Sequence, residues 1–129
     1  MQPGPRIVMI IDDDPDFREA LSAVLTYAGY APVAPADGLE ALRHLASSPL
    51  PHLILLDLTQ PVMDGRQFVS EQRSRPALAQ IPVALVSAER DLARHAAALG
   101  VTDYLEKPIK LDDLLATVRR LAGPPDRSG

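Results

Sequence analysis

The chain has 129 residues, of which 47% are apolar and 23% charged, with a formal net charge of −4 and no cysteine. These proportions describe one globular domain and exclude a disulfide scaffold, a thiol nucleophile and a zinc–thiolate centre. The negative charge argues against a general affinity for nucleic acid or anionic membrane, and Arg119-Arg120 is too short to form a basic stripe. Three tyrosines, two phenylalanines and no tryptophan leave the core mostly aliphatic. The first residues lack a signal peptide's charged region, and no apolar run approaches a membrane span, so the expected location is the cytoplasm.

In chain order, Ile7–Ile11 is a continuous apolar run, too short for a helix and rich in β-branched residues, which predicts a central strand. Asp12, Asp13 and Asp14 follow at once. From Pro15 the spacing of Phe17, Ala20, Leu21, Val24, Leu25 and Ala28 is helical, with Asp14 suited to the N-cap and Gly29 to the stop. Tyr30–Pro35 reads as a short strand, and Pro32 assigns it to a sheet edge. Asp37 and Glu40 resemble a capping box opening a helix that buries Leu39, Leu42 and Leu45.

Leu53–Leu56 is a second fully buried strand, and it ends abruptly in Asp57. A loop through Asp64-Gly65 leads into a weakly amphipathic helix carrying Phe68 and Val69. Pro82–Val86 is the third buried strand and ends in Ser87. A helix from about Arg90 to Leu99 stops at Gly100, and Val101–Glu106 has the mixed polarity of a half-exposed edge strand ending at Lys107-Pro108. The last helix carries Leu111, Leu114, Leu115, Val118 and Leu121 and stops at Gly123.

Five strands alternating with five helices predict an α/β fold, a doubly wound parallel sheet of strand order 2-1-3-4-5. Ligands of such sheets bind at the carboxyl ends of the strands, at the switch point between strands one and three. That point brings Asp12 and Asp13 toward Asp57. Three carboxylates in one crevice repel one another, by roughly 4 kcal/mol for each pair at ~4 Å and an effective dielectric near 20, so a cation is needed. An oxygen-only ligand set suits Mg²⁺ or Mn²⁺. Lys107 and Ser87, from the ends of strands five and four, would supply a charge and a hydroxyl to a phosphate. These are the parts of a phosphoryl-transfer site with Asp57 as carboxylate nucleophile. A carboxylate needs no histidine base, so His44, His52 and His95 read as surface or helix-face residues.

The chain from about Arg6 to Leu121 resembles the receiver domain of bacterial two-component response regulators. The resemblance rests on Ile10–Asp14, on Leu56-Asp57-Leu58 with Pro61 and Met63-Asp64-Gly65, on Val86-Ser87-Ala88, and on Tyr104 to Pro108. It implies the flavodoxin-like (βα)5 fold, with Asp57 as phosphoacceptor. Asp12, Asp13, Asp57 and the Thr59 backbone carbonyl would hold magnesium. Ser87 and Lys107 would contact the phosphoryl group, with Ser87 and Tyr104 as switch residues and a cis Lys107–Pro108 peptide. Gln60 stands where the family usually has Met, and Ile109 where Phe often follows Lys-Pro. Thr59 and Glu89 match variable rim positions.

The function expected is a phosphorylation-dependent switch that catalyses only its own phosphorylation and dephosphorylation. The donor would be a histidine kinase or histidine phosphotransfer protein, docking on the first helix around an exposed Arg18 and Glu19. The output would be a protein target on the face of the fourth helix, fifth strand and fifth helix, with no direct nucleic-acid or membrane binding. Residues 1–129 are expected to form one receiver domain, core about 6–122 with short disordered ends, either stand-alone or excised from a larger protein. Two rival readings are a phosphorylation-independent docking module and an aspartate-nucleophile phosphatase. The phosphatase wants a second aspartate where Thr59 stands. A flavodoxin is disfavoured, because Asp12–Asp14 would repel the flavin's phosphate.

Overall fold

A computed structural model describes residues 5–47, 49–59 and 63–125. The elements are β1 (Ile7–Ile11), α1 (Pro15–Tyr27), β2 (Ala31–Val33), α2 (Gly38–Ser47), β3 (Leu53–Leu56) and α3 (Gly65–Arg73), followed by α4 (Pro76–Ala79), β4 (Val83–Ser87), α5 (Leu92–Leu99), β5 (Asp103–Glu106) and α6 (Leu111–Ala122). The strands form one parallel sheet in the order β2-β1-β3-β4-β5, as predicted. The three apolar runs are central, and Pro32 lies on the edge strand β2, paired with Val8.

Period-two alternation sends the side chains of each central strand to two separate cores. Val8, Ile10, Leu53, Leu55, Ala84 and Val86 pack against Leu21 and Leu25 of α1 and Leu114 and Val118 of α6. On the opposite face, Met9, Ile11, Ile54, Leu56 and Leu85 meet Leu42 and Leu45 of α2, Phe68 of α3, Leu78 of α4 and Ala96 of α5. Both faces are covered, which is why these strands are apolar throughout except for Ser87 at the end of β4.

Six helices are described rather than the five expected. The addition is α4, one turn of Pro76-Ala-Leu-Ala79, too short to leave a periodic signal. Pro76 occupies its first turn, and the buried Gln72 amide fixes it by donating from Nε2 to Leu78 O (2.6 Å) and Ile81 O (3.1 Å). The helix expected from about Arg90 therefore becomes α5 and starts at Leu92, after Asp91 in a left-handed conformation at φ 55°. The last helix becomes α6. Leu39, expected in the core, is 40% exposed, whereas Leu42 and Leu45 are buried. At the start of α2, Asp37 Oδ1 accepts from Glu40 N (2.9 Å), but Glu40 reaches the amide of Ala36 rather than of Asp37, so the box is offset by one residue. The cap of α1 is as read, with Asp14 Oδ1 accepting from Asp16 N (3.0 Å) and Phe17 N (3.4 Å). Gln60 and Pro61, and the chain ends at 1–4 and 126–129, lie outside the described residues.

His52 is more than a surface residue. Its Nδ1 accepts from the Ile7 amide at 2.9 Å and ties the start of β1 to the β3 entry. Burial, aided by the Arg6 guanidinium, holds its pKa below the ordinary 6.5. A depressed histidine adds stability that is present above pH 6.5 and is lost as pH falls through the folded-state value. A hydrogen bond of this kind contributes about 1 kcal/mol. His52→Asn keeps an acceptor near the Nδ1 position but cannot be protonated. Thermal melts at pH 7.5 and 5.0 are expected to show a smaller acid-side loss for this variant than for wild type.

Candidate functional site

The register levels the ends of the strands. Ile11 of β1 lies beside Leu56 of β3, and the Asp57 amide donates to Ile11 O at 2.9 Å, so Asp12 and Asp57 leave the sheet side by side. Ser87 of β4 pairs with Glu106 of β5, and the Lys107 amide donates to Ser87 O at 3.0 Å. Three adjacent strand ends thus deliver two carboxylates and a hydroxyl, and the edge strand β5 sends an ammonium back across them. Arg18, expected to be exposed, is half-buried because its guanidinium donates to Asp12 O at 2.7 Å and fixes the β1–α1 loop.

Asp12 is buried at 2% exposure, and Asp57 at 8%. Lys107 Nζ bonds both, at 2.7 Å to Asp12 Oδ2 and 3.2 Å to Asp57 Oδ2. Asp57 Oδ1 also accepts from the Thr59 amide at 3.1 Å. Burial pushes the Asp57 carboxyl up, and the charge of Asp12 adds to that, while the Thr59 amide and Lys107 oppose it. Burial alone would pull Lys107 down, but its bond to Asp12 and the charges of Asp57 and Asp12 more than offset this and raise its pKa. The ammonium lies 4.2 Å from the centroid of the Phe17 ring, a cation–π contact that the apolar pattern of α1 had concealed. The Lys107–Pro108 peptide is cis.

Asp12, Asp13 and Asp57 each present one carboxylate oxygen within 4.8 Å of the others, with Asp13 exposed at the mouth. Opposite oxygens of an octahedral magnesium shell with bonds near 2.1 Å lie roughly 4 Å apart, so these three side chains fit such an ion. Ser87 is buried at 1%, and its hydroxyl oxygen accepts from the Glu89 amide at 3.2 Å. Tyr104 does not join the charged cluster. It is 40% exposed and lines a shallow groove with Glu106, Pro108, Lys110 and Asp113. Ile109 packs against the α1–α6 core.

Sequence reasoning missed the polar network at the rim. Thr59 Oγ1 donates to Glu89 Oε2 (2.8 Å), and Glu89 Oε1 meets Arg66 NH2 (3.0 Å) and His95 Nε2 (3.4 Å). Arg66 and Glu89 are 23 positions apart, so only the fold joins them.

The sequence model of the family described as Response regulator receiver domain matches residues 8–119. The chain belongs to that family. Among curated relatives, the response regulator MprA of Mycobacterium ulcerans (strain Agy99) is 34% identical over 116 residues, covering 88% of this chain and 49% of MprA. This receiver chain therefore spans about half the length of the curated relatives it matches. Among solved structures, the Vibrio cholerae chemotaxis protein CheY4 superposes with a TM-score of 0.82 at 30% identity over 92% of this chain and 99% of CheY4. The receiver domain of sensor histidine kinase PA1611 from Pseudomonas aeruginosa PAO1, which has a magnesium ion coordinated in its active-site cleft, gives 0.83 at 26% identity over 93% and 99%. The fold they share is the flavodoxin-like receiver fold expected from the sequence. No described helix is long and apolar enough to cross a membrane.

The receiver's loop after Asp57 depends on one glycine. The Gly65 amide donates to Leu58 O at 2.9 Å, and a Cβ there would lie 2.7 Å from Leu58 Cα and 2.8 Å from Asp57 O. Both obstacles are backbone, so Gly65→Ala must displace the strand end that carries Asp57. A loss of about 1–3 kcal/mol in urea unfolding is expected, together with shifted amide resonances at Asp57 and Thr59.

Proposed function

We propose that Asp57 is the phosphoacceptor of a two-component phosphorelay and that the chain is a phosphorylation-dependent switch. The observation that carries this reading is the Asp12–Lys107–Asp57 ion triad with Asp13 beside it. An Asp57 carboxylate oxygen attacks the phosphorus of a phosphohistidine on a histidine kinase or histidine phosphotransfer protein. The O–P bond forms as the P–N bond breaks, and the leaving imidazole keeps the electron pair and takes up a proton. Lys107, already aimed between the carboxylates, exchanges part of its pairing with them for the phosphoryl oxygens. Ser87 keeps its hydroxyl proton for a phosphoryl oxygen, since its own oxygen accepts from Glu89.

Asp12, Asp13, Asp57 and the Thr59 carbonyl are the residues assigned to Mg²⁺, or to Mn²⁺ in its place. The magnesium-bearing cleft of the PA1611 receiver supports that assignment. When bound, the ion supplies positive charge that offsets the phosphoryl oxygens. Hydrolysis of the acyl phosphate restores Asp57, so the chain catalyses only its own phosphorylation and dephosphorylation. The donor docks on α1 beside the β5–α6 connection. The added charge biases the α5–β5–α6 face, including Tyr104, toward a downstream protein. One receiver domain with a core of about 6–122, working in the cytoplasm, fits this role.

The test is labelling by acetyl phosphate or a phosphorylated kinase, with hydroxylamine sensitivity marking an acyl phosphate. Asp57→Asn is expected to reduce the label to background, and chelation of Mg²⁺ to do the same in wild type. Undiminished labelling of Asp57→Asn would refute the assignment.

A further inference from the structure

The rim network places a carboxylate where an anionic donor must pass. Glu89 is one side chain removed from the acceptor, because Thr59 gives its amide to Asp57 Oδ1 (3.1 Å) and its hydroxyl to Glu89 Oε2 (2.8 Å). The Glu89 amide meanwhile holds the Ser87 hydroxyl at 3.2 Å, so this residue bridges the loops after β3 and β4. Its charge adds to those of Asp12, Asp13 and Asp57 at a mouth that receives a phosphate. The counter-charge comes from α3, where Arg66 NH2 lies 3.0 Å from Glu89 Oε1 and its NH1 lies 3.3 Å from Asp64 Oδ2. His95 completes the arrangement from α5. Its Nδ1 faces Arg66 NH2 at 3.1 Å and its Nε2 faces Glu89 at 3.4 Å.

Resting on the phosphoacceptor reading, we infer that Arg66 is a positioning residue that masks the charge of Glu89 and so admits dianionic phosphodonors to Asp57. Arg66 touches neither Asp57 nor the metal-binding carboxylates, and its link to the acceptor runs through Glu89 and Thr59. An exposed ion pair adds little to folding. Its charge still matters to an approaching anion, because an uncompensated carboxylate several ångströms from the path repels it through water and protein alike.

The experiment measures the second-order rate constant for labelling of the full chain with Mg²⁺. The donors are dianionic acetyl phosphate and monoanionic phosphoramidate. Arg66→Gln is expected to lower the acetyl phosphate constant about three- to ten-fold and the phosphoramidate constant clearly less, with the gap narrowing as salt rises. Arg66→Lys keeps the charge and retains the wild-type constants. In the Arg66→Gln/Glu89→Gln double variant the unmasked charge is gone, and the acetyl phosphate constant returns toward wild type. Equal loss for both donors, or no recovery in the double variant, would overturn the masking role in favour of a structural one. So would wild-type kinetics in Arg66→Gln. Failure of wild type to label with either donor would instead remove the phosphoacceptor reading beneath it.

Discussion

One ammonium group shared between two buried carboxylates holds the business end of this molecule together. Taking Asp12 and Asp57 out of water is costly, and a single Lys107 at 2.7 and 3.2 Å meets that cost incompletely. The imbalance is visible in the raised pKa of Asp57, where burial and the neighbouring Asp12 outweigh the lysine and the Thr59 amide. A site short of positive charge in this way is compatible with a cation among Asp12, Asp13 and Asp57. The architecture serves this imbalance: parallel strands bring the groups to one rim, and helices on both faces keep water from the rest.

The same constraint explains why the surrounding loops are pinned so heavily. Arg18 holds the carbonyl of Asp12 from α1, the Thr59 amide orients Asp57, and Gly65 lets α3 approach the backbone of Asp57 and Leu58. Each contact fixes where a carboxylate points, which a metal shell with strict geometry requires. The Phe17 ring does the same for the ammonium through a weakly polar face.

Most of the scaffold was legible because it depends on local, periodic signals. Ile7–Ile11, Leu53–Leu56 and Val83–Ser87 are apolar at every or nearly every position, and only burial on both faces produces that pattern. Asp12, Asp57 and Lys107 could be read as site residues because each is the polar residue that directly ends or follows a strand. What escaped was either too short or too distant in sequence. One turn of helix at Pro76–Ala79 has no period to detect, and Leu39 follows the α2 spacing yet faces solvent. Arg18 was misjudged because a backbone carbonyl, invisible to side-chain patterning, holds it. The Arg66–Glu89–His95 network joins three elements, and nothing in the spacing of those residues announces it.

The bond from the Lys107 amide to Ser87 O is a single rung, yet it has a mechanical consequence. It yokes the β4 and β5 ends, so a tug on either polar side chain is felt by both. β5, like β2 at the opposite edge, has a strand neighbour on one side only, so no ladder holds its outer flank in place. A small inward pull at the rim can therefore emerge as a tilt of the outer ribbon.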